Sequence, residues 1–246
     1  MKTTTDYRIL SWSTGKDAAF ALHQLILQNK KPDLLLTTVN KDFNRVSMHG
    51  LRISLLEEQA KMLQIPLYTI ALSKEVSMAD YNAIMQKELT ALKQEGYESI
   101  IFGDIFLEDL KQFREQQMKT VGLQALFPLW KQNTKELALK IVDSGIKAIV
   151  VAVNAKYLDK SFVGRKFNMS FLNDLPKNID WCGENGEFHT FVFDSPDFIQ
   201  PIDFIMGKKV YKEYRPCSKS DQKNYKTAAE NTSWDTGFWY IDIFLK

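Results

Sequence analysis

Two stretches of this 246-residue chain collect side chains that could do chemistry. The first is Ser13-Thr14-Gly15-Lys16-Asp17, a hydroxyl pair, a glycine, a lysine and a carboxylate in succession. The residues before it, Tyr7–Trp12, alternate as a strand does, and Ala18, Ala19, Leu22, Leu25 and Ile26 recur at helical spacing after it. A strand, a tight loop and a helix in that order make an anion cradle. Amides in the first turn of a helix lack intrahelical partners and sit at the positive end of its dipole. Gly15 lets an oxygen approach the backbone, Ser13 and Thr14 add hydroxyls, and Lys16 adds a point charge. The expected guest is a phosphate or pyrophosphate. It is not a Walker A loop, which needs a glycine where Leu10 stands and a hydroxyl where Asp17 stands. An ordinary strand–helix turn, capped by Asp17, is the plainer alternative.

The second stretch is Cys182-Gly183-Glu184-Asn185-Gly186-Glu187-Phe188-His189-Thr190. Glycines on either side of Glu184-Asn185 mark a tight turn with positive φ. Alternation beyond it puts Glu187, His189 and Phe191 on one face and Phe188, Thr190 and Val192 on the other. Crowded carboxylates and an imidazole suit proton transfer, and they equally suit Mg²⁺ or a cationic substrate. A solvated hairpin turn is the bland reading. A zinc site needs more ligands than Cys182 and His189, and a Cys182–His189 nucleophile pair has as little support.

Positioning these stretches requires a layered α/β scaffold. Strands are expected at Asp33–Val39, Leu67–Ala71 and Ser99–Phe102, and helices at Leu51–Leu63, Met78–Glu95 and Leu107–Val121. Asn40–Met48 reads as a loop. The alternation predicts a Rossmann-like parallel sheet with helices on both faces, and ligands at the carboxyl ends of its strands. The loop, Asn40 and Gly103-Asp104 all fall at such ends. After Phe127-Pro128-Leu129-Trp130 the text changes, with a helix at Thr134–Asp143, a strand at Ala148–Val153, a mixed polar stretch and an aromatic strand at Phe238–Leu245. The expected domains are 1–130, α/β, and 131–246, a smaller α+β unit.

Composition is that of an ordinary globular protein, with 45% hydrophobic residues, 25% charged residues and a net charge of +2. Nothing global argues for a nucleic-acid or membrane partner. Cys182 and Cys217 imply no disulfide framework, and no apolar run approaches a membrane span, so a cytoplasmic location is expected.

An S-x-G-K-D loop combined with a downstream C-G-E-x-G-E-[FY]-H-T turn resembles the diphthine–ammonia ligase family of PP-loop ATP pyrophosphatases, within the adenine nucleotide α-hydrolase superfamily. The likeness is strongest to that family's bacterial branch, often described simply as ATP-binding proteins. Met48-His49-Gly50 with Arg52, Gln59-Ala60, Gly103-Asp104-Ile105 with Arg114 and Glu115, Phe127–Trp130 and the Phe193–Phe198 run FDSPDF also fit, so the resemblance spans about residues 8–200. It implies an enzyme that adenylates a carboxylate with ATP, releases pyrophosphate and lets ammonia displace AMP, assisted by Mg²⁺. On that resemblance Ser13, Thr14, Gly15, Lys16, Asp17, Asn40, Gly103 and Asp104 would hold ATP, with Asp17 and Asp104 on the metal. Lys16, Glu184, Glu187 and His189 would serve catalysis, and His49, Arg52, Arg114 and Asn185 the substrate. Implied partners are ATP, ammonia or an amide donor, and a carboxylate acceptor that is a small molecule or a protein side chain. Homodimerisation stays open.

Three positions depart from the family pattern. Thr14 replaces the first loop glycine, Ala18 replaces its last serine, and His189 stands where diphthamide-forming members carry a carboxylate. The acceptor could therefore differ. A non-catalytic nucleotide-binding regulator is a second hypothesis. A PP-loop sulfur transferase acting on tRNA is a third, disfavoured because two cysteines 35 residues apart do not make a sulfur-handling pair.

Overall fold

The computed structural model describes residues 7–46, 50–73, 76–214 and 236–246. The first half contains β1 (Tyr7–Ser11), α1 (Lys16–Leu27), β2 (Leu34–Asn40), β3 (Arg45–Val46), α2 (Ile53–Leu63) and β4 (Leu67–Leu72). It continues through α3 (Met78–Gln94), β5 (Tyr97–Ile101), α4 (Glu108–Val121) and β6 (Gln124–Leu126). The central strand β1 lies between β2 and β5, β4 pairs with β2, and β6 pairs with β5, all in parallel. The chain turns to one side of β1 and then to the other, so β1 and β5 form the topological switch point where such sheets bind ligands.

Strand alternation distributes the core over both faces. Ile9, Leu34, Leu36 and Ile100 pack with Met85 and Leu89 of α3 and Met118 of α4. Leu10, Leu35 and Ile101 face the opposite way, into a core shared with α1, α2 and the second half of the chain. Burial around α1 is broader than a simple amphipathic stripe. Phe20 and Ala21 are buried as well as Ala18, Ala19, Leu22 and Leu25, because the helix is covered from two sides, by the first sheet and by the strand Phe188–Asp194 of the second half.

The second half supplies α5 (Thr134–Asp143), β7 (Lys147–Asn154), α6 (Met169–Asp174), β8 (Phe188–Asp194), β9 (Phe204–Tyr214) and β10 (Thr236–Leu245). Its strands form an antiparallel sheet in the order β8-β7-β10-β9. The architecture is the α/β plus α+β arrangement expected from the sequence. Some short or exposed elements were not expected. β3 lies inside the segment read as a loop, and its two residues are too few to show a period. β9 is an edge strand whose Ile205, Met206, Val210 and Tyr211 are exposed, so it carries no apolar alternation to read. Among the described residues, no helix is long and apolar enough to cross a membrane.

Candidate active site

The loop between β1 and α1 is anchored from several directions. Trp12 N–H donates to Leu36 O at 2.8 Å, and Thr37 Oγ1 donates to Trp12 O at 2.6 Å. Gln59 of α2 is fully buried among Leu55, Leu56, Ala60 and Leu63. It accepts from Trp12 Nε1 at 2.8 Å and donates to Thr14 O at 3.1 Å and Val192 O at 2.7 Å. Val192 N–H returns to Thr14 O at 3.0 Å. One buried amide and one β8 residue thus clamp the loop backbone.

Thr14 sits at φ 71°, the left-handed region in which a β-branched residue is an outlier. Its side chain is buried and Oγ1 has no hydrogen-bond partner. The N-cap of α1 is Gly15, not Asp17, and no side chain caps it locally. The cap comes from across the molecule, where Thr190 Oγ1 accepts from Lys16 N–H at 3.1 Å.

Lys16 turns its side chain toward residues of the second half of the chain. It is 2% exposed, its ammonium donates to Cys182 O and to Asp17 Oδ2 (2.9 Å), and it lies over the rings of Phe167 (5.3 Å) and Phe188 (5.2 Å). Burial opposes the charge on Lys16, yet Asp17 beside it more than compensates and holds its pKa above the ordinary value. Burial likewise pushes the Asp17 carboxyl up, against the pull of Lys16. Asp17 Oδ1 is buried with no partner.

The end of β5 crosses the start of α1 so closely that a side chain at Gly103 would place its Cβ 3.1 Å from Ala18 N. Asp104, the next residue, forms an ion pair with Arg114 Nε at 2.7 Å, and Arg114 stacks on Phe102 at 4.4 Å. Burial raises the Asp104 pKa, with Arg114 opposing and Asp17 adding to the rise.

The turn after Cys182 reaches this place from the second sheet. Glu184 Oε1 accepts from Ile105 N–H at 2.7 Å. Burial pushes the Glu184 carboxyl up to about 7, with the Asp17 and Asp104 carboxylates adding, and the Ile105 amide and Lys16 opposing. The turn itself is held by Asp180, whose Oδ2 accepts from Cys182 N–H (3.2 Å) and Glu184 N–H (3.0 Å). Glu187 is buried, and its Oε1 accepts from Asp180 N–H (3.2 Å) and Asn185 Nδ2 (3.1 Å), while Oε2 has no partner. Gly183 has φ 72° and lies under the Phe188 ring, where an added Cβ would come within 2.9 Å. The Cys182 thiol donates to Thr134 O at 3.3 Å, and burial raises its pKa far above the ordinary range, which makes it a poor nucleophile.

A cavity of about 440 Å³ opens beside the loop, lined by Trp12, Ser13, Thr38, Met85, Phe102 and Arg114 among others. Its volume falls within the range of small-molecule sites.

Residues 7–125 match the family profile described as "Diphthamide synthase N-terminal domain", and residues 133–224 match "Diphthamide synthase C-terminal domain". The chain belongs to the diphthamide synthase family. A relative named diphthine–ammonia ligase from Mus musculus is 28% identical over 218 residues, 77% of this chain and 79% of its own. One of the same name from Bos taurus is 34% identical over 116 residues, 45% of this chain and 43% of its own. A solved structure from Methanocaldococcus jannaschii, described as a "predicted subunit of tRNA methyltransferase", covers 78% of this chain and 98% of its own, with a TM-score of 0.40 and 16% identity.

In this diphthamide synthase family member, the residues singled out from the sequence do not all meet. Ser13, Thr14, Gly15, Asp17, Gly103, Asp104 and Glu184 gather around the start of α1 and the end of β5. Asn185 lies on the outer part of the turn, exposed. Alternation along β8 turns His189 to the face opposite Thr190, where its cross-strand neighbour is Ala152. Asn40 Oδ1 accepts from Asp42 N–H (3.0 Å) and Phe43 N–H (3.1 Å), closing the turn after β2. Arg52 is paired with Asp242 Oδ2 at 2.7 Å and stacks on Phe244 at 4.3 Å. His49 lies outside the described residues.

Gln59, Thr190 and Asp180 were given no role by sequence reasoning. Gln59 had a readable signal, a lone polar residue on the apolar face of α2. Asp180 had one too, since its carboxylate accepts from amides only two and four residues on, as Asx turns do. Thr190 acts on Lys16, which only folding brings close.

Proposed function

We propose that this chain is an ATP-dependent amide ligase that adenylates a carboxylate and transfers it to ammonia. The observation carrying the reading is the convergence of a strand–loop–helix cradle with Glu184 of the distant turn, through the 2.7 Å contact to Ile105. Membership in the diphthamide synthase family and relatives named diphthine–ammonia ligase support the same chemistry. The reading divides the chain near residue 130, with residues 1–130 binding ATP and residues 131–246 the acceptor.

The cavity beside Trp12 and Ser13 would take the nucleoside, and the backbone of Ser13–Gly15 with the unpartnered Thr14 hydroxyl would meet the phosphates. Among the described residues no three His, Cys, Asp or Glu side chains gather to hold a metal by themselves. Mg²⁺ commonly uses one or two carboxylates together with substrate phosphates. Asp17, with its free buried Oδ1, and Asp104 fit that smaller demand. Bound there, the ion would neutralise charge on the leaving pyrophosphate.

An acceptor carboxylate oxygen attacks the α-phosphorus, and the bond to pyrophosphate breaks. Ammonia then attacks the acyl carbon, the bond to AMP breaks, and the nitrogen loses a proton. Glu184, with a pKa near neutrality, is suited to take that proton. Glu187 and Asn185 shape the turn. Arg52 and Arg114, both already paired with carboxylates, fix the segments that border the site. With His189 in place of a family carboxylate, the acceptor carboxylate need not be that of diphthine.

The test is incubation with α-labelled ATP, Mg²⁺, ammonium and a pooled cytosolic extract, following AMP against ADP. AMP that depends on extract and vanishes in Asp17→Asn supports the ligase. Tight ATP binding with no AMP under any condition overturns it in favour of a nucleotide-binding regulator. Sedimentation of the same preparation tests the homodimer.

A further inference from the structure

We propose that Lys16 is a positioning residue that fastens the Cys182–Glu187 turn to the nucleotide loop, and that it does not hold the phosphates. What the turn accomplishes rests on the ligase reading, but where the lysine goes does not.

A lysine between a hydroxyl pair and an aspartate at a helix start invites a phosphate role. The packing contradicts that role. A buried ammonium is strongly disfavoured unless its charge and its donors are met. Here Asp17 Oδ2 at 2.9 Å meets the charge and the Cys182 carbonyl takes a second donor. The faces of Phe167 and Phe188 complete the surround at 5.3 and 5.2 Å. Both rings and the carbonyl come from the second half of the chain. Lys16 also lies outside the lining of the 440 Å³ cavity, whereas Ser13 and Arg114 belong to it. To reach a phosphate, the side chain would have to leave an aromatic slot and a carboxylate together.

The backbone of the same residue is tied in the same direction, since its N–H donates to Thr190 Oγ1. Lys16 therefore holds one end of the turn at Cys182, while Thr190 is held just beyond its other end. Glu184 stands two residues after Cys182, so fixing the Cys182 carbonyl limits where Glu184 can lie against Ile105. The carbonyl, and not the thiol, is the part of Cys182 that this arrangement uses, because the thiol is turned to Thr134.

The experiment compares wild type, Lys16→Met and Phe167→Leu in the full chain. It reads the affinity for a non-hydrolysable ATP analogue by calorimetry, deuterium uptake by the peptide covering the turn, and AMP formation. Methionine keeps the length and apolar bulk of the side chain while removing the ammonium. The expected result is analogue affinity within about fivefold of wild type and turn exchange faster by about tenfold or more. AMP formation should lose kcat with little change in the KM for ATP. Phe167→Leu, which leaves the ammonium but removes one ring, should loosen the turn in the same direction. If Lys16→Met does not fold, this variant decides by the same two binding and exchange readouts. A loss of analogue affinity beyond about fivefold, or a turn whose exchange is unchanged, overturns the proposal. Should wild type release no AMP, the ligase reading falls, while affinity and exchange still decide the place of Lys16.

Discussion

Glu184 Oε1 accepts its hydrogen bond from the backbone N–H of Ile105, 79 residues earlier in the chain. This contact brings a carboxylate from the antiparallel half to the switch point of the parallel half. Its burial there is what makes ionisation of Glu184 costly, and the nearby Asp17 and Asp104 carboxylates add to the cost.

Stability should depend on that ionisation. The ordinary value for the group is 4.5 and the folded value is about 7, so the folded state holds an extra proton between them. The unfolded state binds fewer protons in that window, and stability falls as pH rises through it. In urea unfolding, Glu184→Gln should match wild type near the acid end and exceed it by about 3 kcal/mol at the alkaline end. The amide oxygen can still accept from Ile105. AMP formation by wild type should rise with an apparent pKa near 7, and the variant should lose that step. Parallel stability curves for the two proteins would contradict this account.

Thr14→Val should separate folding from binding. The Thr14 hydroxyl is buried and unpartnered, so replacing it with a methyl group removes a desolvated polar atom at nearly constant shape. The expected gain in ligand-free stability is about 1 kcal/mol. If the hydroxyl meets a phosphate, ATP affinity falls by about tenfold, the equivalent of one lost hydrogen bond. Denaturation and calorimetry on one preparation should therefore move in opposite senses.

The two glycines of the turn should differ in cost. At Gly183 an added methyl meets the Phe188 ring at 2.9 Å and its carbonyl at 3.0 Å, with φ at 72°. At Gly186, φ is 81° but nothing lies within 4 Å. Gly186→Ala should cost about 1 kcal/mol from backbone strain alone. Gly183→Ala should cost about 2–4 kcal/mol, because overpacking adds to the strain. Chemical denaturation of the pair checks the difference, and equal costs would count against the tight seat under Phe188.

Gln59→Leu should be damaging although the site is buried and apolar substitution looks mild. It strands the Trp12 indole N–H and removes the donor to Val192 O. The expected loss is about 2–4 kcal/mol, from unpaired buried groups. The melting temperature should drop, and ATP affinity should drop with it because the loop backbone loses a clamp. Unchanged affinity at a temperature where the variant is folded would show that β8 alone holds the loop.

Local periodicity was enough to reveal the parallel layer. β1, β2, β5 and helices α1 to α4 show apolar alternation or helical spacing, and loops between them fall at strand ends. The cradle was legible for the same reason, since Ser13–Asp17 are consecutive and their relation to the helix start is local. The sharp turn at Gly183 and Gly186 was also legible, because positive φ leaves a glycine signature. What sequence could not convey is direction. Lys16 looks like a phosphate ligand in a one-dimensional reading, and only the packing of Phe167, Phe188 and Cys182 around it turns it inward. Arg52 looks free until Asp242, 190 residues away, takes its guanidinium. The meeting of Glu184 with Ile105 and of Thr190 with Lys16 depends on how the antiparallel sheet seats against α1. That seating is governed by burial of apolar surface shared between distant segments, a quantity with no local period in the chain.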